Sequence, residues 1–414
     1  MNRRHFLKAG VAAGAGAVAS PGWAGAFEMY PSGFDQGSMW LPASPDFKTR
    51  HVVLVILGNG ARRKDVLHDP TMAPALRRLM AEGTVFSDDY GETATLHGPM
   101  VSELLTGHPA PEQRPTFPTW QEMVRKHHAS GPLDSFILQS QSYFGGFSWD
   151  VKNYSRHPDY GARYGATSLT MNNVFGGVSP IPADTFLDRH AHPRLGFSRR
   201  DIDTMADWYH DIVHRQAYRP ASPRGLSTVE RATQIGDAMA LSLAPEILQA
   251  FRPRCLTVQI VGLEDAHDEA GSADHETGFA VYRRHLGAMD ALIGRLWDAI
   301  QEDASLRDRT ALIIRPDCGR HDHVDRRGQL SHSLGDPESH STFCLALGPD
   351  VRRGEVVSHR VQRRDIAPTM TYLLTGSRAP FATGHVRTQM FAATLGLPDY
   401  RLPETRPVPP RAAG

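Results

Sequence analysis

The sequence has little that would staple, anchor or charge it. Cysteine is scarce: Cys255, Cys318 and Cys344 are an odd three in 414 residues, which allows at most one disulfide and excludes a stapled scaffold. No window holds the roughly 18 uninterrupted apolar residues of a stable membrane span. Net charge is absent, because 45 Lys plus Arg balance 45 Asp plus Glu, so nothing argues electrostatically for a nucleic-acid partner. There is no internal repeat, no Gly-x-Gly-x-x-Gly turn, no Cys-x-x-Cys pair and no haem motif, which leaves an oxidoreductase without support. What is present is 40% hydrophobic against 22% charged residues, the composition of a globular chain with one large core or two modest ones.

The first residues read as an export address. MNRRHFLK is followed by a mild Ala/Gly/Val stretch from Ala9 to Ala19, and Ala24, Gly25 and Ala26 supply a small-x-small cleavage site. This is the pattern of a signal peptide. Arg3 and Arg4, followed by Phe6, Leu7 and Lys8, match the twin-arginine type, so the export machinery of that route is an expected partner. The expected location is the bacterial periplasm or the outside, where Cys318 needs protection from oxidants.

The remainder predicts an α/β layout. His51 to Leu57 (HVVLVIL) is a continuous β-branched run suited to a strand buried on both faces, and Gly58-Asn59-Gly60 turns it. Residues 72–82 predict a helix with Gly83 as its C-cap, and further helices are expected near 120–126, 227–250 and 366–374. Ser227 and Glu230 have capping-box spacing. Tyr282, Leu286, Met289, Ile293, Leu296 and Ile300 step by 4, 3, 4, 3 and 4, a clean amphipathic helix. Strands are expected at 135–138, 256–261, 311–314 and 343–347. The sum is a mostly parallel central sheet with helices on both faces, where ligands sit beyond the carboxyl ends of the strands. Residues 141–225, rich in Gly, Tyr, Asn, Pro and His, break the rhythm and read as an inserted irregular cap, in which His157, Tyr160 and Tyr164 are candidate pocket residues. The expected organisation is 1–26 signal peptide, 27–140 and 226–380 the two parts of the α/β domain, 141–225 the cap, and 381–414 a Pro-rich tail.

Polar residues follow the strands. Glu264, Asp265, Ala266 and His267 come after one, Asp317, Cys318, Gly319 and Arg320 after another, and Ser331-His332-Ser333 precedes a third. Carboxylate, imidazole and thiolate at one sheet edge are the donors of a zinc-type site, with ligand distances of about 2.0 to 2.3 Å. Taken singly, such residues equally serve as helix caps or loop hydrogen-bonders.

Three stretches carry a family resemblance. A valine-rich strand, a turn and a helix running into MAEGTVFSDDY, with a later segment closing in SELLTG, resemble the opening of the alkaline phosphatase superfamily, particularly its sulfatase and phosphodiesterase branches. PDCGR is similar to its Asp-His-Gly motif, and FCLALGPDVRRGEVV with RRDIAPTMTYLLTG is similar to its C-terminal strand and helix. The resemblance spans about residues 50–125 and 250–380. It implies two divalent metal ions, zinc foremost with calcium or manganese as the other ions expected, and hydrolysis of phosphate or sulfate esters on small molecules or polymers. Carried over, it implies Asp265, His267 and His332 at one metal and Asp317 with Cys318 at the other. His275 rivals His267, and His340 rivals His332. The family's first Asp falls at Gly58 or Asn59, its motif His is Cys318, and its nucleophile position is His97, with Thr95 and Thr93 as hydroxyl alternatives. Asn59 keeps a carbonyl oxygen, and Cys318 is a zinc ligand as thiolate. His97, opening a helix, is expected neutral, as ligand, general base or nucleophile. Arg62 and Arg320 are candidate anion clamps. Two functions compete: an exported metal-dependent ester hydrolase, and a binding protein that kept the fold and lost the chemistry.

Overall fold

The computed structural model describes residues 41, 45–92, 97–109, 115–140, 154–171, 180–191, 195–217, 228–264 and 278–391, with side chains from 235 onward in the helix that begins at 228. All described elements lie within Ala43–Gly414. The export segment lies outside the described residues.

Among the described residues nine strands form one sheet: β1 His51–Leu57, β2 Thr84–Tyr90, β3 Ser135–Gln139, β4 Thr167–Thr170, β5 Cys255–Ile260, β6 Thr310–Pro316, β7 Ser341–Leu347, β8 Glu355–Val357 and β9 Val361–Gln362. Their order is β4-β3-β5-β1-β6-β7-β2-β8, with β9 also on β2. β1, β3, β5 and β6 are buried along their whole length, as their unbroken apolar runs require of strands covered on both faces. Val53, Val55, Leu57, Val258, Ile260 and Ile314 pack on one face, where the long helices α3 Thr228–Phe251 and α4 Gly278–Glu302 lie. The other face carries α1 His97–Thr106, α2 Trp120–His127 and α5 Ile366–Thr375; there Gln121 of α2 donates to Thr257 of β5 at 2.8 Å.

β7 is antiparallel to both of its neighbours, β6 and β2, while the other pairings are parallel. An antiparallel pair is joined at one edge of a sheet. The whole segment from Asp317 to His340 therefore begins and ends at the carboxyl edge of β6, beside the end of β1. β2 is parallel to β1 in direction, so it delivers the chain to that same edge before α1 begins.

Two local expectations differ from the structure. The helix expected at 72–82 runs Pro74–Met80 with Ala81 as its C-cap, and Gly83 is not in the left-handed region. Gly83 is needed because any Cβ there would collide with the Ala346 carbonyl of β7. The stretch expected as an irregular cap also contributes β4, which pairs parallel with β3, and helices Ala183–His190 and Arg199–His214. Met205, Trp208, Tyr209 and Ile212 form a buried helical stripe that the surrounding Arg, Asp and His residues mask in the sequence. Glu122 of α2 ties this stretch down by accepting from Ser155 N at 3.0 Å and Ser155 Oγ at 2.8 Å. All three cysteines are buried free thiols. Among the described residues no helix is long and apolar enough to cross a membrane.

Candidate active site

The turn after β1 is built around the carboxylate of Asp317. Asn59 and Gly60 are both in the left-handed region, φ 71° and 81°, which asparagine and glycine tolerate. A Cβ at Gly60 would stand 2.6 Å from the Gly319 carbonyl and 2.9 Å from Cys318 Sγ, so only glycine permits this approach. The turn aims Asn59 N at Asp317 Oδ2 (3.2 Å) and Gly60 N at Asp317 Oδ1 (3.0 Å), and Cys318 N adds a bond to Oδ1 at 2.8 Å. The fourth partner is His97, whose Nδ1 lies 2.6 Å from Oδ2. Burial pushes the Asp317 carboxyl up, but the His97 ring, the Asn59 N–H and the nearby His332 outweigh it and bring the group down to about 2. Asp317 is therefore an ionised carboxylate at neutral pH, and the Nδ1 of His97 carries the proton between them.

His97 is the first residue of α1. Its outward nitrogen, Nε2, is 2.9 Å from Nε2 of His332, and the two rings meet edge to face with centroids 4.3 Å apart. A buried carboxylate, a buried imidazole and a half-buried imidazole thus form one line running from beneath the sheet edge toward solvent. Cys318 lies beside it, and burial followed by the Asp317 charge pushes its thiol well above the ordinary range.

Of the residues singled out in the sequence, the structure brings together Asn59, His97, Asp317, Cys318 and His332. His340 stands with Nδ1 2.8 Å from the Gly91 carbonyl and Nε2 3.0 Å from the Leu334 carbonyl, while His332 stands against His97. Thr93, Thr95, Asp265, His267 and His275 lie outside the described residues. Arg62 and Arg320 are placed differently from the anion clamps expected. Arg62 is buried and grips Asp65 at 2.6 and 3.0 Å, stacked over Phe279. Arg320 is fully buried and donates to the carbonyls of Gly60, Leu263 and Leu330, holding the site's loops together. His157, Tyr160 and Phe381 form an aromatic cluster, with Lys126 Nζ 4.0 Å from the Tyr160 ring centroid.

Sequence reasoning passed over the charged groups beneath the site. Arg363 and Arg315 both donate to the Asp317 carbonyl at 3.2 Å. Arg363 Nε also lies 3.2 Å from Glu103 of α1, and its guanidinium occupies the space a side chain at Gly91 would need. Arg315 and Arg387 flank Asp89, each at 2.8 Å, and hold its carboxyl below the ordinary range against burial, which pushes it up. On the other side of the site, Asp237 accepts from Val261 N (2.9 Å) and Gly262 N (2.8 Å), and burial pushes it up to about 6. It fixes the end of β5 that leads toward Asp265. The available signal was an acid or arginine interrupting an otherwise apolar element, as Asp237 does in α3 and Arg315 in β6.

The donor set fits one divalent ion. His97, Asp317 and Cys318 bring a ring nitrogen, a carboxylate oxygen and a sulfur within 4.8 Å of one another. Asn59 Nδ2 is bound to the Val261 carbonyl at 2.8 Å, while its Oδ1 is buried without a partner, an acceptor whose desolvation nothing else offsets. Imidazole, thiolate, carboxylate and amide oxygen are zinc donors, and His97, Asp317 and Cys318 would supply three of them to an ion held there.

No family model matches the sequence, and no curated protein matches it. Solved structures do. The chain is similar to wild-type alkaline phosphatase PafA (9% identity, 84% of this chain and 100% of that one, TM-score 0.52). It is similar to a 2-O GAG sulfatase (10% identity, 84% and 75%, TM-score 0.51) and to the phosphonate monoester hydrolase of Agrobacterium radiobacter (16% identity, 83% and 77%, TM-score 0.50). With its mostly parallel sheet and its site at the carboxyl edge, the chain has the fold of the alkaline phosphatase superfamily.

Proposed function

We propose that the chain is an exported, metal-dependent hydrolase of phosphate or sulfate esters, centred on His97, Asp317, Cys318 and His332. The observation that carries this reading is the line Asp317–His97–His332 at the first turn of α1. An ionised carboxylate orients one imidazole, and that imidazole presents its other nitrogen toward solvent at a helix N-terminus, where main-chain N–H groups favour an anionic ester. Asn59, His97, Asp317 and Cys318 would hold the ion, zinc foremost. When bound, it supplies positive charge for the charge that develops on the ester oxygens.

The protein's own groups do the rest. Asp317 fixes the His97 ring, the Asn59-Gly60 turn fixes Asp317, and Arg315 and Arg363 fix the main chain behind it. The three neighbours are named for phosphate, phosphonate monoester and sulfate chemistry, which selects the probes. Purified protein, prepared without chelator or nickel, is assayed for zinc and for release of p-nitrophenol from its phosphate, phenylphosphonate and sulfate esters. Bound zinc with turnover of at least one ester supports the reading. Absence of turnover by zinc-, calcium- and manganese-loaded protein favours a binding role for the same fold.

The segment at 1–26 supports passage by the twin-arginine route to the periplasm or beyond. Retention of an Arg3→Lys, Arg4→Lys double variant in the cytoplasm tests it.

A further inference from the structure

We infer that His321 is a positioning residue of the site: its main-chain N–H and its ring clamp the two residues that flank His332, and so hold the His332 imidazole at His97. This rests on the ester-hydrolase reading above and adds to it a residue outside the line Asp317–His97–His332.

The chain that leaves the sheet edge after Asp317 folds back on itself at 325–329. Asp325 N donates to the Gln329 carbonyl at 2.8 Å and Gly328 N to the Asp325 carbonyl at 3.0 Å, while Asp325 Oδ1 accepts from Arg327 N (2.8 Å) and Gln329 N (3.0 Å). This turn sets the returning residues beside His321. His321 N donates to the Ser331 carbonyl at 2.9 Å. On the far side of His332, Ser333 N donates to His321 Nε2 at 2.9 Å, and Ser333 Oγ stands at the same distance. Both neighbours of His332 are thereby fastened to one residue, although Ser333 and Leu334 are exposed. The His332 ring between them reaches His97, Nε2 to Nε2, at 2.9 Å.

The backbone decides which nitrogen of His321 carries the proton. A main-chain N–H points where the chain sends it, so the Ser333 N–H requires an acceptor at Nε2 and leaves the ring proton on Nδ1. Asp336 does not draw the proton to Nε2. Its Oδ2 lies 3.6 Å away, beyond hydrogen-bond reach, and its Oδ1 accepts from Glu338 N at 2.8 Å. Burial keeps the ring below its ordinary range, opposed by Asp336 and Asp325 and aided by His323 and Arg320, which agrees with a neutral imidazole acting as acceptor. A leucine at 321 would leave the Ser333 N–H without that acceptor and free the residue after His332.

The test compares wild type, His321→Leu, His321→Gln, His332→Leu and the double variant His321→Leu, His332→Leu on p-nitrophenyl phosphate, phenylphosphonate and sulfate, with zinc content and melting temperature measured on each. Histidine nitrogen-15 spectra, with the His321 signals identified by their loss in His321→Leu, give its tautomer without reference to activity. Expected are a proton on Nδ1 of His321 and a fall in kcat of about 10- to 100-fold in His321→Leu with KM and zinc content near wild type. His321→Gln, which keeps an acceptor oxygen near the place of Nε2, should recover most of the rate. Adding His321→Leu to His332→Leu should cost nothing more, because the first acts through the second; a merely structural fastening would subtract the same factor from both backgrounds. A proton on Nε2, an unchanged kcat in His321→Leu, or an equal further loss in the His332→Leu background each overturns the inference and leaves the hydrolase reading intact. Absence of turnover by the wild type overturns that reading and this inference with it.

Discussion

Nδ1 of His97 and Oδ2 of Asp317 stand 2.6 Å apart although 220 positions of chain separate them. One opens a helix and the other ends a strand, so the contact exists only because three loops are locked at one sheet edge. The lock is visible in the charges below it. Arg363 reaches the Asp317 carbonyl and Glu103 of the helix that carries His97, and Asn59 and Gly60 clasp the carboxylate from above.

Arg363 and Glu103 are each 2% exposed and 3.2 Å apart. Removing one partner leaves the other charge buried and costs about 3–5 kcal/mol. Arg363→Met is expected to lower the urea midpoint strongly without a change in slope. Gly91→Ala is expected to do part of the same, because its new methyl would fall on the guanidinium. An unchanged midpoint in both would show that the cluster does not hold α1 in place.

Stability should fall between mildly acidic and neutral pH. Glu122 is fully buried, and burial, opposed by bonds from Thr119 and Ser155, pushes it up to about 7 from an ordinary 4.5. Over that interval the folded protein holds a proton that the unfolded chain has released. The contribution is complete below 4.5 and is lost as pH rises through 7, about 3 kcal/mol in all. The groups facing it are the Thr119 and Ser155 hydroxyls and the more distant Tyr160 phenol. Urea titrations at pH 5 and pH 8 should show a drop that Glu122→Gln reduces, the remainder coming from Asp237, whose carboxyl burial also pushes up, to about 6.

Metal should add to stability. An ion bound only by the folded state contributes about 3 kcal/mol at a hundredfold excess over its dissociation constant. Asp317→Ala and Cys318→Ser are each expected to lower zinc content and melting temperature together, and chelation should lower the melting temperature of the wild type but not of these variants. Zinc content unchanged in both would place the ion elsewhere.

Much of this was legible beforehand, for physical reasons. Strands buried on both faces announce themselves as unbroken apolar runs, which is why β1, β5 and β6 were read closely. Asp317 and Cys318 could be placed at a sheet edge because they directly follow such a strand. The direction of β7 could not be read, since a continuous apolar run carries no sign of parallel or antiparallel pairing. Nor could the fates of Arg62 and Arg320, because an arginine gripping Asp65 or three carbonyls has the same sequence signature as one awaiting an anion. Nor could the surroundings of His332 and His340 be told apart, since only the folded chain sets one against His97 and the other against two main-chain carbonyls.

The central claim is that His97 performs ester hydrolysis, and the most direct measurement compares wild-type and His97→Gln protein across p-nitrophenyl phosphate, phenylphosphonate and sulfate under zinc-loaded conditions. The account predicts turnover by the wild type and a loss of about a thousandfold or more in His97→Gln, with zinc content and melting temperature read alongside because His97 also belongs to the proposed metal site. Equal turnover by the two proteins would contradict it.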